Sequence, residues 1–160
     1  MSSNAARLAH EVAAIARREA VQLAVAESLT GGAVCSALAA APEAAQWFRG
    51  GIVAYAESVK FGLLGCTEGP VVSDVCAREM ATGVAELLGA DLAVAITGVG
   101  GPGSNEGEPP GTVWFATAAH GRTRTRLHRL SGTPDDIIGG ATDLALELVL
   151  DALADQRTAA

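Results

Sequence analysis

Lysine is almost missing from this chain, which carries one Lys and one Tyr in 160 residues. Aromatic residues make up only 4% of it. The three cysteines, Cys35, Cys66 and Cys76, are an odd number with no C-x-x-C spacing, so neither a disulfide framework nor a zinc site is expected. No apolar run approaches the roughly 20 residues of a membrane span. Met1-Ser2-Ser3-Asn4 leads into an amphipathic stretch rather than a signal-peptide core, so the expected address is cytoplasmic. The formal net charge is -7, and no basic block is present. Such a chain gains nothing from the counterion release that drives most nucleic-acid binding, and it has no patch to dock on an anionic membrane. There is no G-x-x-x-x-G-K-[ST], no G-x-G-x-x-G after the first strand-like run and no G-x-S-x-G. A P-loop NTPase, a Rossmann dinucleotide site and a nucleophile elbow are therefore all unsupported.

What is abundant is small and apolar. Hydrophobic residues are 49% of the chain, led by Ala, and 19 glycines join them. Small residues suit close packing of helices on a sheet, and 160 residues suffice for one packed domain, 1–160. Residues 4–19 read as a helix with Leu8, Val12 and Ile15 on one face. Val21–Ala26 reads as a buried strand, followed by a hydroxyl-and-glycine turn and an Ala-rich helix that Pro42 stops. Gly51–Tyr55 reads as a second strand, with a short helix over Glu57–Leu64. A helix from Ser73-Asp74 to Leu88 would bury Val75, Met80, Val84, Leu87 and Leu88. Leu92–Ile96 has the continuous apolar character of a central strand. Gly98–Gly111, with six glycines and three prolines, must be irregular, and loops of that length are often functional. Thr112–Ala118 and Arg122–Leu130 form a hairpin pattern, whose Arg122, Arg124 and Arg126 suit a charged edge strand. Thr133, Pro134 and Asp135-Asp136 open the last helix. The predicted fold class is α/β, one domain with a mixed sheet between helices.

Three segments carry chemistry: Glu27–Gly32, Tyr55–Lys60 and Thr97–Thr112. If the strands before the first and third are parallel neighbours, both loops share one sheet edge, where open α/β folds bind ligands. A glycine turn before a helix can cradle a phosphate, although the same glycines also serve tight turns alone. Lys60 is the notable residue. The other ten basic residues are arginines, which serve any need for surface charge but cannot deprotonate near neutral pH. A single lysine in that background suggests work that arginine cannot do, against the plain alternative of an exposed helix charge. Tyr55, five residues earlier, is placed to reach the same pocket.

These segments resemble the C-terminal domain of the CinA family. The resemblance rests on Ala26-Glu27-Ser28-Leu29-Thr30-Gly31-Gly32, on Gly51-Ile52-Val53-Ala54-Tyr55 with Lys60 and Leu64-Gly65, on Ala95–Pro102, and on Pro110-Gly111-Thr112-Val113-Trp114. The motifs keep family order over roughly residues 5–150. The resemblance implies a three-layer α/β/α domain with a mixed, largely parallel central sheet, and an amidohydrolase that converts nicotinamide mononucleotide to nicotinic acid mononucleotide and ammonia without a metal or cofactor. It implies a homodimer with a small-molecule pyridine nucleotide as its partner. Laid on the matching positions, Ser28 is the expected nucleophile, Lys60 its base and Tyr55 a proton relay or orienting group. Thr30, Gly31, Gly32, Thr97, Gly98, Gly100, Gly101 and Thr112 are expected to hold the substrate or its oxyanion. Where the family carries a Gly-(Asp/Asn)-Arg-x-x-(hydrophobic)-Arg segment, this chain has Gly132–Gly139 with two acids and neither arginine. That departure keeps two alternatives open: amide hydrolysis on a related pyridine compound, and an inactive nucleotide- or partner-binding module.

Overall fold

A computed structural model describes residues 2–159, with side chains to residue 155. Helix α1 spans Ser3–Arg18; Ser2 caps it by accepting from the Ala5 N–H at 3.0 Å, and Arg17 and Arg18 complement its C-terminal dipole. Then come β1 (Leu23–Glu27), α2 (Ala33–Ala39), β2 (Phe48–Val53) and α3 (Glu57–Gly62). Helix α4 (Asp74–Leu88), β3 (Leu92–Gly98), β4 (Thr112–Ala119), β5 (Arg122–Arg129) and α5 (Pro134–Ala159) complete the chain. The sheet order is β2-β1-β3-β4-β5. Strand β1 runs parallel to both β2 and β3, whereas β4 and β5 are antiparallel additions. The expected adjacency of β1 and β3 is therefore present, in a mixed α/β sheet with helices on both faces. No helix of the described residues is long and apolar enough to cross a membrane.

Alternation along the strands sorts the two faces by size. Leu23 and Val25, Leu92, Val94 and Ile96, and Val113 and Phe115 point to one side, where α1, α2 and α5 supply Leu8, Val12, Leu38, Ile137 and Val149. The intervening Ala24, Ala26, Ala93, Ala95, Ala116 and Ala118 point to the other side. An alanine surface lets a helix approach closely, and α4 lies across it, touching all five strands. This corrects the expected stripe of α4. Met80 and Val84 are buried as expected, but Val75 and Leu87 are exposed, and Cys76, Ala77 and Ala81 face the sheet instead. Small side chains win there because the opposing surface is itself shallow.

Close approach also recruits Gly83 on α4. A Cβ at that position would run into the backbone carbonyl of Leu64, in the segment that follows α3. Gly83→Ala is therefore expected to destabilise the protein by about 2–3 kcal/mol, despite alanine's better helix propensity. Gly139→Ala on α5, where nothing lies within 4 Å of the added methyl, is expected to be neutral or to stabilise by up to about 1 kcal/mol. Urea unfolding of the pair checks both signs.

Strand β5 is the sheet edge, as its arginines suggested. Arg124 and Arg126 are not simply solvated, since they meet Asp155 and Asp151 on α5. The β4–β5 turn places His120 and Gly121 at positive φ (51° and 71°), the geometry of a two-residue hairpin loop. Before α5, Thr133 and Asp136 cap reciprocally: the Thr133 N–H and hydroxyl donate to Asp136 Oδ2 at 2.9 and 2.7 Å, and the Asp136 N–H donates to Thr133 Oγ1 at 3.3 Å.

Candidate active site

The parallel strands β2, β1 and β3 end on the same edge of the sheet, and their C-terminal ends deliver three backbones to one cleft. Ser28 follows β1, Ala54 and Tyr55 follow β2, and Thr97-Gly98 end β3. The Ala54 N–H donates to the Glu27 carbonyl at 2.7 Å, tying the first two ends together. A cavity of about 230 Å³ opens there, lined by Ser28, Leu29, Tyr55, Glu57 and Lys60 and by parts of the segments 71, 97–101, 103 and 105. A larger groove of about 430 Å³ lies between α5 and β5 over Phe115 and Leu148. Among the described residues the larger groove is lined by no buried nucleophile and no buried base, so size is a poor guide here and the chemistry selects the smaller cavity.

Lys60, on α3, is 2% exposed, which excludes the surface-charge alternative. Its Nζ donates to the Ala54 carbonyl at 2.6 Å and lies 3.0 Å from Ser28 Oγ. Burial lowers the pKa of this amine, outweighing the opposite pull of Cys76, Glu57, Cys66 and Glu106. Ser28 itself is 8% exposed. A carbonyl that takes one amine proton leaves the nitrogen lone pair free to face the serine hydroxyl when the amine is neutral. In that form the amine can accept a proton from the hydroxyl.

Tyr55 lines the cleft but stands at its mouth, 71% exposed, and among the described residues its hydroxyl makes no hydrogen bond to Ser28 or Lys60. The group that orients the amine is the Ala54 carbonyl rather than the phenol.

The expected phosphate cradle is filled from within. The Glu27 carboxylate, fully buried, accepts from Gly32 N–H (3.0 Å), Val34 N–H (3.2 Å) and Cys35 N–H (2.8 Å) at the start of α2. The Gly31 N–H donates to the Ser28 carbonyl at 3.0 Å. Gly31 and Gly32 therefore hold a turn and an internal anion, and neither lines the cleft. Thr30 also lies outside it; its Oγ1 is buried without a hydrogen-bond partner among the described residues. Thr112 lies outside it too, where its Oγ1 accepts from Arg129 Nη1 at 3.2 Å. Thr97, Gly98, Gly100 and Gly101 do line the cleft. The Thr97 hydroxyl is already engaged, donating to the Val71 carbonyl at 2.7 Å.

Two carboxylates escaped the sequence reading. For Glu27 the available signal is a charged residue ending an apolar strand just before a helix start. Glu106 lies at the tip of the glycine-rich loop, where it and Gly107 adopt positive φ (52° and 78°) between the bridged residues Asn105 and Glu108. Its carboxylate accepts from the Val71 and Val72 N–H groups at 2.9 and 2.8 Å. With Thr97 holding the Val71 carbonyl, this segment is fixed from both sides, and the loop is drawn against the cleft.

The chain matches the family model described as CinA C-terminal domain over residues 5–153. It is 37% identical over 139 residues to Protein YdeJ of Escherichia coli (strain K12), covering 83% of this chain and 81% of that protein. It is 46% identical over 123 residues to a putative competence-damage inducible protein of Geobacillus kaustophilus (strain HTA426), covering 72% of this chain but 29% of that longer one. A crystal structure of a competence-damaged protein (CinA) superfamily protein from Klebsiella pneumoniae 700603 superposes with a TM-score of 0.91 at 33% identity, covering 94% of this chain and 98% of that one. The competence/damage inducible protein CihA of Agrobacterium tumefaciens superposes at 0.90 with 28% identity, covering 96% and 98%. Motifs, fold and relatives agree: the chain belongs to the CinA C-terminal domain family.

Proposed function

We propose that the chain is an amidohydrolase acting on a pyridine carboxamide, with nicotinamide mononucleotide as the substrate that the family resemblance favours. The observation that carries this reading is the buried amine of Lys60, 3.0 Å from the Ser28 hydroxyl at the floor of an open cleft. An amide is a weak electrophile with a poor leaving group, so its hydrolysis needs an activated nucleophile and a proton for departing nitrogen. Neutral Lys60 takes the Ser28 proton as Oγ bonds to the carbonyl carbon. The tetrahedral intermediate collapses as the Lys60 ammonium returns that proton to nitrogen, which leaves as ammonia. Water then attacks the acyl-serine, giving one proton to Lys60 and releasing the carboxylic acid, and Lys60 restores the hydrogen on Ser28. Donors for the oxyanion come from cleft-lining backbone at Leu29, Gly98, Gly100 or Gly101, since Gly31 and Gly32 are engaged elsewhere. One well-placed donor is worth about 3–4 kcal/mol of barrier.

Ammonia release from nicotinamide mononucleotide tests the reading. Wild-type protein is expected to release it, and Ser28→Ala to lose at least about a thousandfold in rate with its circular dichroism unchanged. An active Ser28→Ala protein would remove the nucleophile assignment.

A further inference from the structure

Charge in the cleft has an uncommon balance for a pocket meant to hold a phosphorylated ligand. Among the lining residues Lys60 is the sole cation, and it must be neutral to act as a base. The sole anion is Glu57, at the start of α3. No arginine reaches this cavity among the described residues. Tyr55, two residues before Glu57 in the chain and on the same cleft lining, is the most exposed large apolar side chain among the described residues at 71%. A tyrosine face open to water beside a carboxylate, on the rim of a reactive cleft, is an arrangement that attracts a cation through both its ring quadrupole and the opposite charge. It offers nothing comparable to a phosphate.

We propose that Tyr55 and Glu57 form a subsite for a positively charged aromatic ring, so that the cleft selects carboxamides of N-substituted pyridinium cations by ring charge and not by phosphate. The inference rests on the amide-hydrolysis reading of Ser28 and Lys60 and names what that site recognises. A pyridinium ring lying over Tyr55 keeps its carboxamide directed inward toward Ser28, while whatever its nitrogen carries points to solvent. This gives Tyr55 a platform role in place of proton relay.

The two roles separate in binding measurements on the Ser28→Ala protein. NMR titration with 1-methylnicotinamide, a permanent cation, and with nicotinamide, the same amide on a neutral ring, is expected to show the cation bound about tenfold or more tightly. Glu57→Gln and Tyr55→Leu should each reduce that ratio at least about threefold, and Tyr55→Phe should preserve it. Equal affinities, undetectable binding of the cation, or ratios untouched by both Glu57→Gln and Tyr55→Leu would overturn the subsite. In turnover by the wild-type protein, nicotinamide riboside is expected within about tenfold of the mononucleotide in kcat/KM; a larger preference for the mononucleotide would overturn the claim about phosphate. Cation-selective binding with no ammonia from any of these amides would leave the subsite standing and remove amide hydrolysis. Hydrolysis without ring-charge selectivity would do the reverse.

Discussion

Lys60→Arg is expected to abolish the proposed amide hydrolysis, by about a thousandfold or more in kcat/KM, although it keeps the positive charge and most of the length of lysine. The reason is protonation. A guanidinium cannot give up its proton near neutral pH, so it cannot receive one from the Ser28 hydroxyl. Lys60 can, because burial disfavours its charged form and lowers its pKa from the ordinary 10.5, while Cys76, Glu57, Cys66 and Glu106 only partly restore it. The pH dependence follows with a definite sign. Activity should rise with pH as the amine deprotonates, and level off above a midpoint that lies below 10.5. Stability is linked in the same direction. The unfolded chain holds this proton more tightly than the native one, so the lysine's contribution grows as pH rises from the folded pKa toward 10.5, and is lost as pH falls through that window. Initial rates of ammonia release across the pH range measure the first effect, and urea midpoints at the same pH values measure the second. A Lys60→Arg protein with wild-type rates would remove the base assignment.

The Ser28–Lys60 pair is legible because its signal is chemical rather than periodic. A single lysine among arginines stands out however the chain folds, and the glycine turn after β1 marks a strand end. Apolar runs located β1 and β3, and their parallel adjacency put both loops on one edge. Other features depended on geometry that spacing does not encode. Which way Tyr55 faces is decided by how the chain leaves β2, and it leaves pointing the ring outward. The N–H groups of Gly31 and Gly32 read as free for a ligand, but the Ser28 carbonyl takes the first and the Glu27 carboxylate, five residues before Gly32, takes the second. The stripe of α4 was misjudged at Val75 and Leu87 because the rule that large apolar residues face inward fails against an alanine-coated sheet. Thr30 and Thr112 were chosen as hydroxyls near glycines, yet both are buried outside the cleft.

Loss of the carboxylate at position 27 is expected to be the largest single-residue effect on stability. Glu27 is fully buried, and its two oxygens satisfy three backbone N–H groups where α2 begins. A buried carboxylate is tolerable only when such donors solvate it, and those donors, one buried and two partly buried, lose their acceptor once it is gone. Glu27→Ala therefore leaves three unpaired N–H groups and a cavity, and should cost about 4 kcal/mol, or roughly 8–16 °C in Tm for a domain of this size. Glu27→Gln should cost less, about 1–2 kcal/mol, because its amide oxygen still accepts while its NH₂ group meets a donor. The harm should reach catalysis as well. The Glu27 carbonyl accepts from the Ala54 N–H, the Ala54 carbonyl holds Lys60, and Ser28 is the next residue, so loosening this strand end moves both members of the pair. Thermal unfolding together with kcat of the Gln variant, which should remain folded, separates the two consequences. A fall in stability without a fall in kcat would show that α2 is held by Glu27 for packing alone and that the Ser28–Lys60 distance is set by β2 and α3.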